Sequence, residues 1–288
     1  MTDYLILIGT CFLVASAGLL GGMFTLKNQE KKGSTPFYTL LFMIAALVGG
    51  GILYASNFSF EPGALLYSAI FGLCFAGVNI TMLLAIRCGP VSLTNLMVQL
   101  SLITTALWGI LFWNAEFSIT VAVGLIFVAV ALSMILYQKG KGEKITAKWM
   151  FYAFLALVFN AGCAIAQKTQ QLVYQGQHGN MTMFFALVIS TAVCFVWCLV
   201  DRPQTPKEVF KKTGWLPLLA GGLNALHNFC VILMASSSLS PSLIYPCLAV
   251  GGIGINAIAS CILLKERLSL RQWLGIVLGA VAAVLLSR

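Results

Sequence analysis

The sequence predicts an all-α integral membrane protein, with ten transmembrane helices arranged as two inverted five-helix repeats. Three observations carry that prediction. Only 9% of the residues are charged, against about a quarter in soluble domains, while 60% are hydrophobic and the mean hydropathy is +0.95. Apolar stretches recur along the whole chain, each long enough as a helix to cross about 30 Å of hydrocarbon. The pattern of the first half then returns in the second. An open sheet is excluded, because a backbone in lipid must satisfy its own hydrogen bonds as a helix or a closed barrel.

Span 1, Tyr4 to Phe24, has no basic residue ahead of it and no clear small-residue cleavage site, so it reads as a retained span. Span 2 (Pro36 to Ala55), span 3 (Gly63 to Ile86), span 4 (Val91 to Phe112) and span 5 (Ile119 to Tyr137) complete a first unit, residues 1–137. A polar connector, 138–148, separates it from a second unit, 149–288. That unit holds span 6 (Trp149 to Leu172), span 7 (Met181 to Val200), span 8 (Trp215 to Ala235), span 9 (Ser242 to Leu263) and span 10 (Gln272 to Leu286). Asp201 to Gly214, between spans 7 and 8, reads as a second long polar connector.

The repeat is visible residue by residue. At an offset of 150, Gly72, Leu83, Ser92 and Glu116 fall on Gly222, Leu233, Ser242 and Glu266; one residue is then added, and Ser118 and Gly124 fall on Ser269 and Gly275. The basic residues set the orientation. All but Lys168 and Arg288 lie in or beside the connectors after spans 1, 3, 5, 7 and 9. This places those connectors in the cytoplasm and both termini outside. Because five is odd, the second unit is expected upside down relative to the first, the plan that gives alternating access about a midplane site. The net charge of +9 is spread over these short connectors rather than along a stripe, so nucleic acid is not expected as a partner. The nine cysteines form no metal-type Cys-x-x-Cys pair and read as small packing residues.

The run Leu264-Lys265-Glu266-Arg267-Leu268-Ser269-Leu270-Arg271-Gln272-Trp273-Leu274-Gly275, followed by an Ala- and Val-rich last span, resembles the drug/metabolite transporter superfamily, specifically its EamA-type ten-span carriers. Glu116-Phe117-Ser118 to Gly124 is a weaker echo of it. The resemblance implies a carrier of small metabolites or drugs, often exported, with its substrate held between the halves. Three features depart from that pattern. The family's prolines in the middle of spans 4 and 9 are replaced by Ser101-Leu102-Ile103 and Gly251-Gly252-Ile253-Gly254, Met43 lies where an arginine is common in span 2, and many relatives are thought to keep their termini in the cytoplasm.

Placing a carboxylate at mid-bilayer costs at least about 2.5–3.5 kcal/mol. All eight here lie in connectors or at span ends, so proton exchange through a membrane glutamate, as in the small multidrug-resistance relatives, is not expected. Glu116 and Glu266 read as helix caps or partners of nearby bases. The uncharged polar residues form stripes: Asn79 on span 3, Asn95 and Gln99 on span 4, Asn160 and Gln167 on span 6, Asn224, His227 and Asn228 on span 8, Tyr245 and Asn256 on span 9. Amides avoid lipid, so these faces turn inward, either as interhelical hydrogen bonds or as a substrate-binding cavity. Their segregation onto five spans favours the cavity. Lys168 is read as a lysine reaching back to water from a span end, or as a charge at the cavity mouth.

The expected function is a transporter, specifically an exporter, of a small organic solute (a metabolite, an amino-acid-like compound or a drug), as a monomer or homodimer in the plasma (inner) membrane. No cofactor, metal or catalytic residue is expected. A non-transporting binding or assembly subunit is the alternative, and a membrane-embedded lipid-modifying enzyme ranks third, since His178 and His227 are isolated.

Overall fold

The computed structural model describes residues 2–54, 58–113, 118–136, 145–235 and 241–286. Chain that cannot hand its peptide groups to water folds here into helices alone. The described residues form twelve α-helices, a 3-10 turn at Pro62–Ala64 and no strand. The helices are α1 (Thr2–Lys27), α2 (Ser34–Tyr54), α3 (Leu65–Ile86), α4 (Val91–Gln99), α5 (Leu102–Phe112) and α6 (Ile119–Leu136). They continue with α7 (Ala147–Val173), α8 (Gly179–Val200), α9 (Pro206–Thr213), α10 (Trp215–Ala235), α11 (Pro241–Leu263) and α12 (Leu270–Leu286).

Tyr4–Lys27, Ser34–Tyr54, Pro62–Ile86, Ala147–Val173 and Gly179–Val200 are each long and apolar enough to cross a membrane, and shorter apolar helices run over Ile119–Ala131, Val250–Leu263 and Leu270–Ala282. Large apolar side chains such as Phe12, Ile52, Leu111 and Val200 stand exposed on the outside. On this scale such exposure marks a surface made for lipid. This is a multi-pass membrane protein.

Helices adjacent in sequence are seldom the closest in space. Helix α3 lies along α7 and α8, α1 along α10 and α11, α2 between α8 and α10, and α6 pairs with α12. Two of these crossings depend on glycine. A Cβ at Gly72 would stand 2.7 Å from the Ala186 carbonyl of α8, and one at Gly221 would stand 2.2 Å from the Phe42 carbonyl of α2. Small residues at such points let membrane helices approach closely.

Two expectations need correcting. Span 4, read as one helix from Val91 to Phe112, is broken at Leu100–Ser101 into α4 and α5. At the break the Ser101 N–H reaches only to the Val98 carbonyl (3.1 Å), an i→i−3 turn. Asn160 of α7 holds it there, its Nδ2 donating to the Val98 carbonyl (3.2 Å) and to Ser101 Oγ (2.7 Å). The connector Asp201 to Gly214 is not all loop: Pro206 opens α9, which buries Val209 and Thr213, and Asn28 Nδ2 donates to Thr213 Oγ1 (3.0 Å).

The repeated serines have one local role. Ser269 and Gln272 form a reciprocal capping box, Ser269 N–H donating to Gln272 Oε1 (2.8 Å) and Gln272 N–H to Ser269 Oγ (3.3 Å). Ser118 Oγ accepts from Val121 N–H (3.3 Å) at the start of α6. Each serine therefore caps the last helix of its half.

Candidate functional site

Between α1, α3, α4, α7, α10 and α11 lies a cavity of about 300 Å³. Asn79 enters it from α3, Asn95 and Gln99 from α4, and Asn160 and Gln167 from α7. From the other side come Asn224, His227 and Asn228 of α10 and Asn256 of α11. Nine of the ten residues singled out in the sequence thus line one cavity. The side chain of the tenth, Tyr245, lies outside the described residues, as does Glu116.

Three of these amides, Asn95, Asn160 and Asn256, also tie helices together. Asn95 Nδ2 donates to the Val91 carbonyl (2.8 Å) and to Asn256 Oδ1 (3.1 Å), while Asn256 Nδ2, only 2% exposed, donates to the Ala15 carbonyl (3.2 Å). A chain of hydrogen bonds therefore joins α4 to α11 and α11 to α1. Asn228 Nδ2 donates to the Asn224 carbonyl (2.9 Å) and Oδ1 (3.2 Å), and Asn79 Nδ2 to the Phe75 carbonyl (2.8 Å). His227 Nδ1 is buried without a hydrogen-bond partner among the described residues.

Sequence reasoning missed the apolar part of the lining: Val14, Ala15 and Gly18 of α1, and Phe71, Phe75 and Met82 of α3. Only the glycine cluster of span 1 hinted at it. A Cβ at Gly18 would fall 2.4 Å from the Asn95 amide, so the missing side chain is what lets Asn95 lie against α1.

The two ends of the cavity differ. At the end where the α7–α8 connection lies, a second hollow of about 520 Å³ is walled by amides that include Gln170, Gln171, Gln177 and Asn180, and it shares Phe71 and Gln167 with the central cavity. There His178 and Ser59 meet at 2.8 Å (Nδ1 to Oγ). Lys168 is exposed near this end of α7.

At the opposite end hydrogen bonds tie the helix ends together. Glu266, between α11 and α12, accepts from the backbone N–H of Val91, the N–H of Ser92 (3.2 Å) and the Ser92 hydroxyl (2.6 Å). Its carboxylate thus caps α4, whose first N–H groups have no partner within the helix. Fully buried Trp149 donates Nε1–H to Thr94 Oγ1 (2.9 Å), fixing the start of α7 on the same turn. Arg87 donates to Thr35 Oγ1 (2.8 Å) and the Gln29 carbonyl (2.7 Å). The exposed Lys31–Glu208 pair, at 3.6 Å, contributes little beside these bonds.

A bundle of apolar helices around a polar cavity defines a multi-pass membrane protein with room for a small solute. Residues 147–288, just under half of the chain, match the model of the EamA-like transporter family. An uncharacterized protein of Haemophilus influenzae is 23% identical over 218 residues, which cover 72% of this chain and 69% of that one. A protein of known crystal structure, 14% identical, superposes with a TM-score of 0.63 over 100% of this chain and 97% of its own, a likeness of fold.

Proposed function

We propose that the chain is a carrier that moves a small organic solute across the plasma membrane by alternating access, in the direction of export. Its working parts are two inverted five-helix repeats, 1–137 and 149–288, joined by 138–148. The observation that carries this reading is the cavity itself: nine polar side chains from both halves face one hollow that is bolted at one end by Glu266. The broken span 4 supports it, since irregular backbone at membrane depth is tolerated where it lines a cavity. Support for the repeat comes from packing. If each span is paired with the one five later, α3 on α7 corresponds to α10 on α1, and α3 on α8 to α10 on α2; a glycine sits at each of the latter crossings, Gly72 and Gly221, the second one residue before the Gly222 that the offset pairs with Gly72.

The basic connectors lie at the bolted end, so in the orientation expected from the charges the cavity is closed toward the cytoplasm and reached from outside. The nine polar residues are the proposed substrate contacts. Gln99 and Asn228 test them best, because no described hydrogen bond of either reaches another helix. In proteoliposomes, counterflow of solutes that raise the melting temperature should fall sharply in Gln99→Leu and Asn228→Leu while membrane insertion is retained. Normal transport by both variants, or binding with no flux in the wild type, overturns the carrier reading.

A further inference from the structure

Hydrogen-bond accounting in the central cavity points to the chemistry of its solute. An asparagine amide offers two donor hydrogens and one acceptor oxygen, and which end faces which way follows from the partner. A backbone carbonyl only accepts, so an amide facing one must present its nitrogen.

By that rule both hydrogens of Asn95 are committed, to Val91 and Asn256, and both of Asn160, to Val98 and Ser101. Those of Asn228 are committed to Asn224, and Asn79 spends one on Phe75. The oxygens of Asn79, Asn95, Asn160 and Asn228 have no hydrogen-bond partner among the described residues. Free N–H groups in the lining come from Asn224, Gln99, Gln167 and the second hydrogen of Asn79, and the two glutamines bring an acceptor each as well. Among the described residues, no lysine, arginine or carboxylate lines the cavity. An anion would therefore meet no positive charge there, and three of the amides, Asn95, Asn160 and Asn228, would turn only an oxygen toward it, against one, Asn224, that turns only N–H groups. A solute carrying several N–H bonds meets free side-chain oxygens on six of the lining amides, with no formal charge of either sign among the described lining residues.

We propose that the cavity selects a solute with a primary ammonium or similarly donor-rich head, gripped by the side-chain oxygens of Asn79, Asn95, Asn160 and Asn228, and that it discriminates against carboxylates. This rests on the reading of the cavity as the substrate site. The free amide N–H groups of Gln99, Gln167, Asn224 and Asn79 serve an acceptor elsewhere on the same molecule. Apolar Phe75 and Met82 take its hydrocarbon part.

The test is equilibrium binding to the full chain in nanodiscs, using three probes on one skeleton: benzylammonium, benzyltrimethylammonium and phenylacetate. Benzylammonium should bind at least tenfold more tightly than phenylacetate. It should also bind several-fold more tightly than the quaternary amine, which keeps the charge but has no N–H. Asn79→Leu and Asn228→Leu, checked for an unchanged melting temperature, should narrow both gaps. Phenylacetate binding as tightly as the amine, equal binding of the two amines, or no saturable binding of benzylammonium overturns the proposal. The carrier reading fails separately: binding in this order with no flux sinks that reading alone, and flux of carboxylates without amines sinks only this one.

Discussion

Glu266→Ala should unbolt the closed end, and the structure allows the size of the effect to be worked out. The carboxylate accepts from two backbone N–H groups and one hydroxyl at the start of α4, across the boundary between the halves. Removing a cap of this kind costs about 1–2 kcal/mol, and losing the negative charge beside a helix N-terminus adds about 0.3–1 kcal/mol. Water can reach a half-buried helix end, which argues against counting each bond in full. A total of about 2 kcal/mol corresponds to roughly a 30-fold shift in the opening equilibrium. Amide hydrogen exchange reads it directly, because the N–H groups of Val91 and Ser92 are the donors. In Glu266→Ala their protection should drop by that factor, while the Leu100 N–H, bonded to the Leu96 carbonyl, should be unaffected. Glu266→Gln keeps one acceptor oxygen and should fall between. Unchanged protection at Val91 and Ser92 would refute the bolt.

Gly18→Val should abolish most flux without blocking insertion, because its side chain occupies the place of the Asn95 amide; proteoliposome transport set against membrane abundance checks this. Trp149→Phe loses one buried hydrogen bond and should cost about 1 kcal/mol, whereas Thr94→Val strands the indole N–H and should cost more, about 1–3 kcal/mol. Thermal unfolding in a fixed detergent ranks the two. Asn160→Leu releases both sides of the turn between α4 and α5, so the Ser101 amide should change its exchange rate by tenfold or more and flux should fall with it.

The polar stripes were legible because the penalty for placing an amide in lipid is larger than the gain from any loose arrangement, which forces such residues to one side of each helix. Asn79, Gln99, Gln167 and Asn228 could therefore be found without coordinates. Glu266 was legible only in part. Its sequence neighbourhood showed a cap, and Ser269 with Gln272 is the local one, but the helix that Glu266 caps begins at Val91, some 175 residues earlier in the chain. Nothing local marks that partner. The α1 wall was illegible for a different reason: Val14 and Ala15 carry no polar atom on their side chains, and it is the Ala15 backbone carbonyl that meets Asn256.

The break in span 4 is the sharpest case of local sequence giving way to tertiary structure. Val91 to Phe112 contains no proline or mid-span glycine cluster and reads as one helix, yet it turns at Ser101. The run Pro246 to Gly254 holds both features, and there α11 is continuous. The difference lies in how the neighbouring amide attaches. In the proposed repeat, the contact of α7 with α4 corresponds to that of α1 with α11. In the first, Asn160 reaches over from the neighbour and holds two atoms on either side of the turn, the Val98 carbonyl and the Ser101 hydroxyl, so the tight turn is clamped from outside. In the second, the amide belongs to α11 itself: Asn256 reaches outward to a single carbonyl on α1 and leaves the ladder of α11 untouched. A half-helix is thus held by residues of the second half at both ends, Glu266 at one and Asn160 at the other; in the proposed carrier it would move with that half rather than with its own and would couple rocking of the second repeat to the oxygens proposed to face the solute.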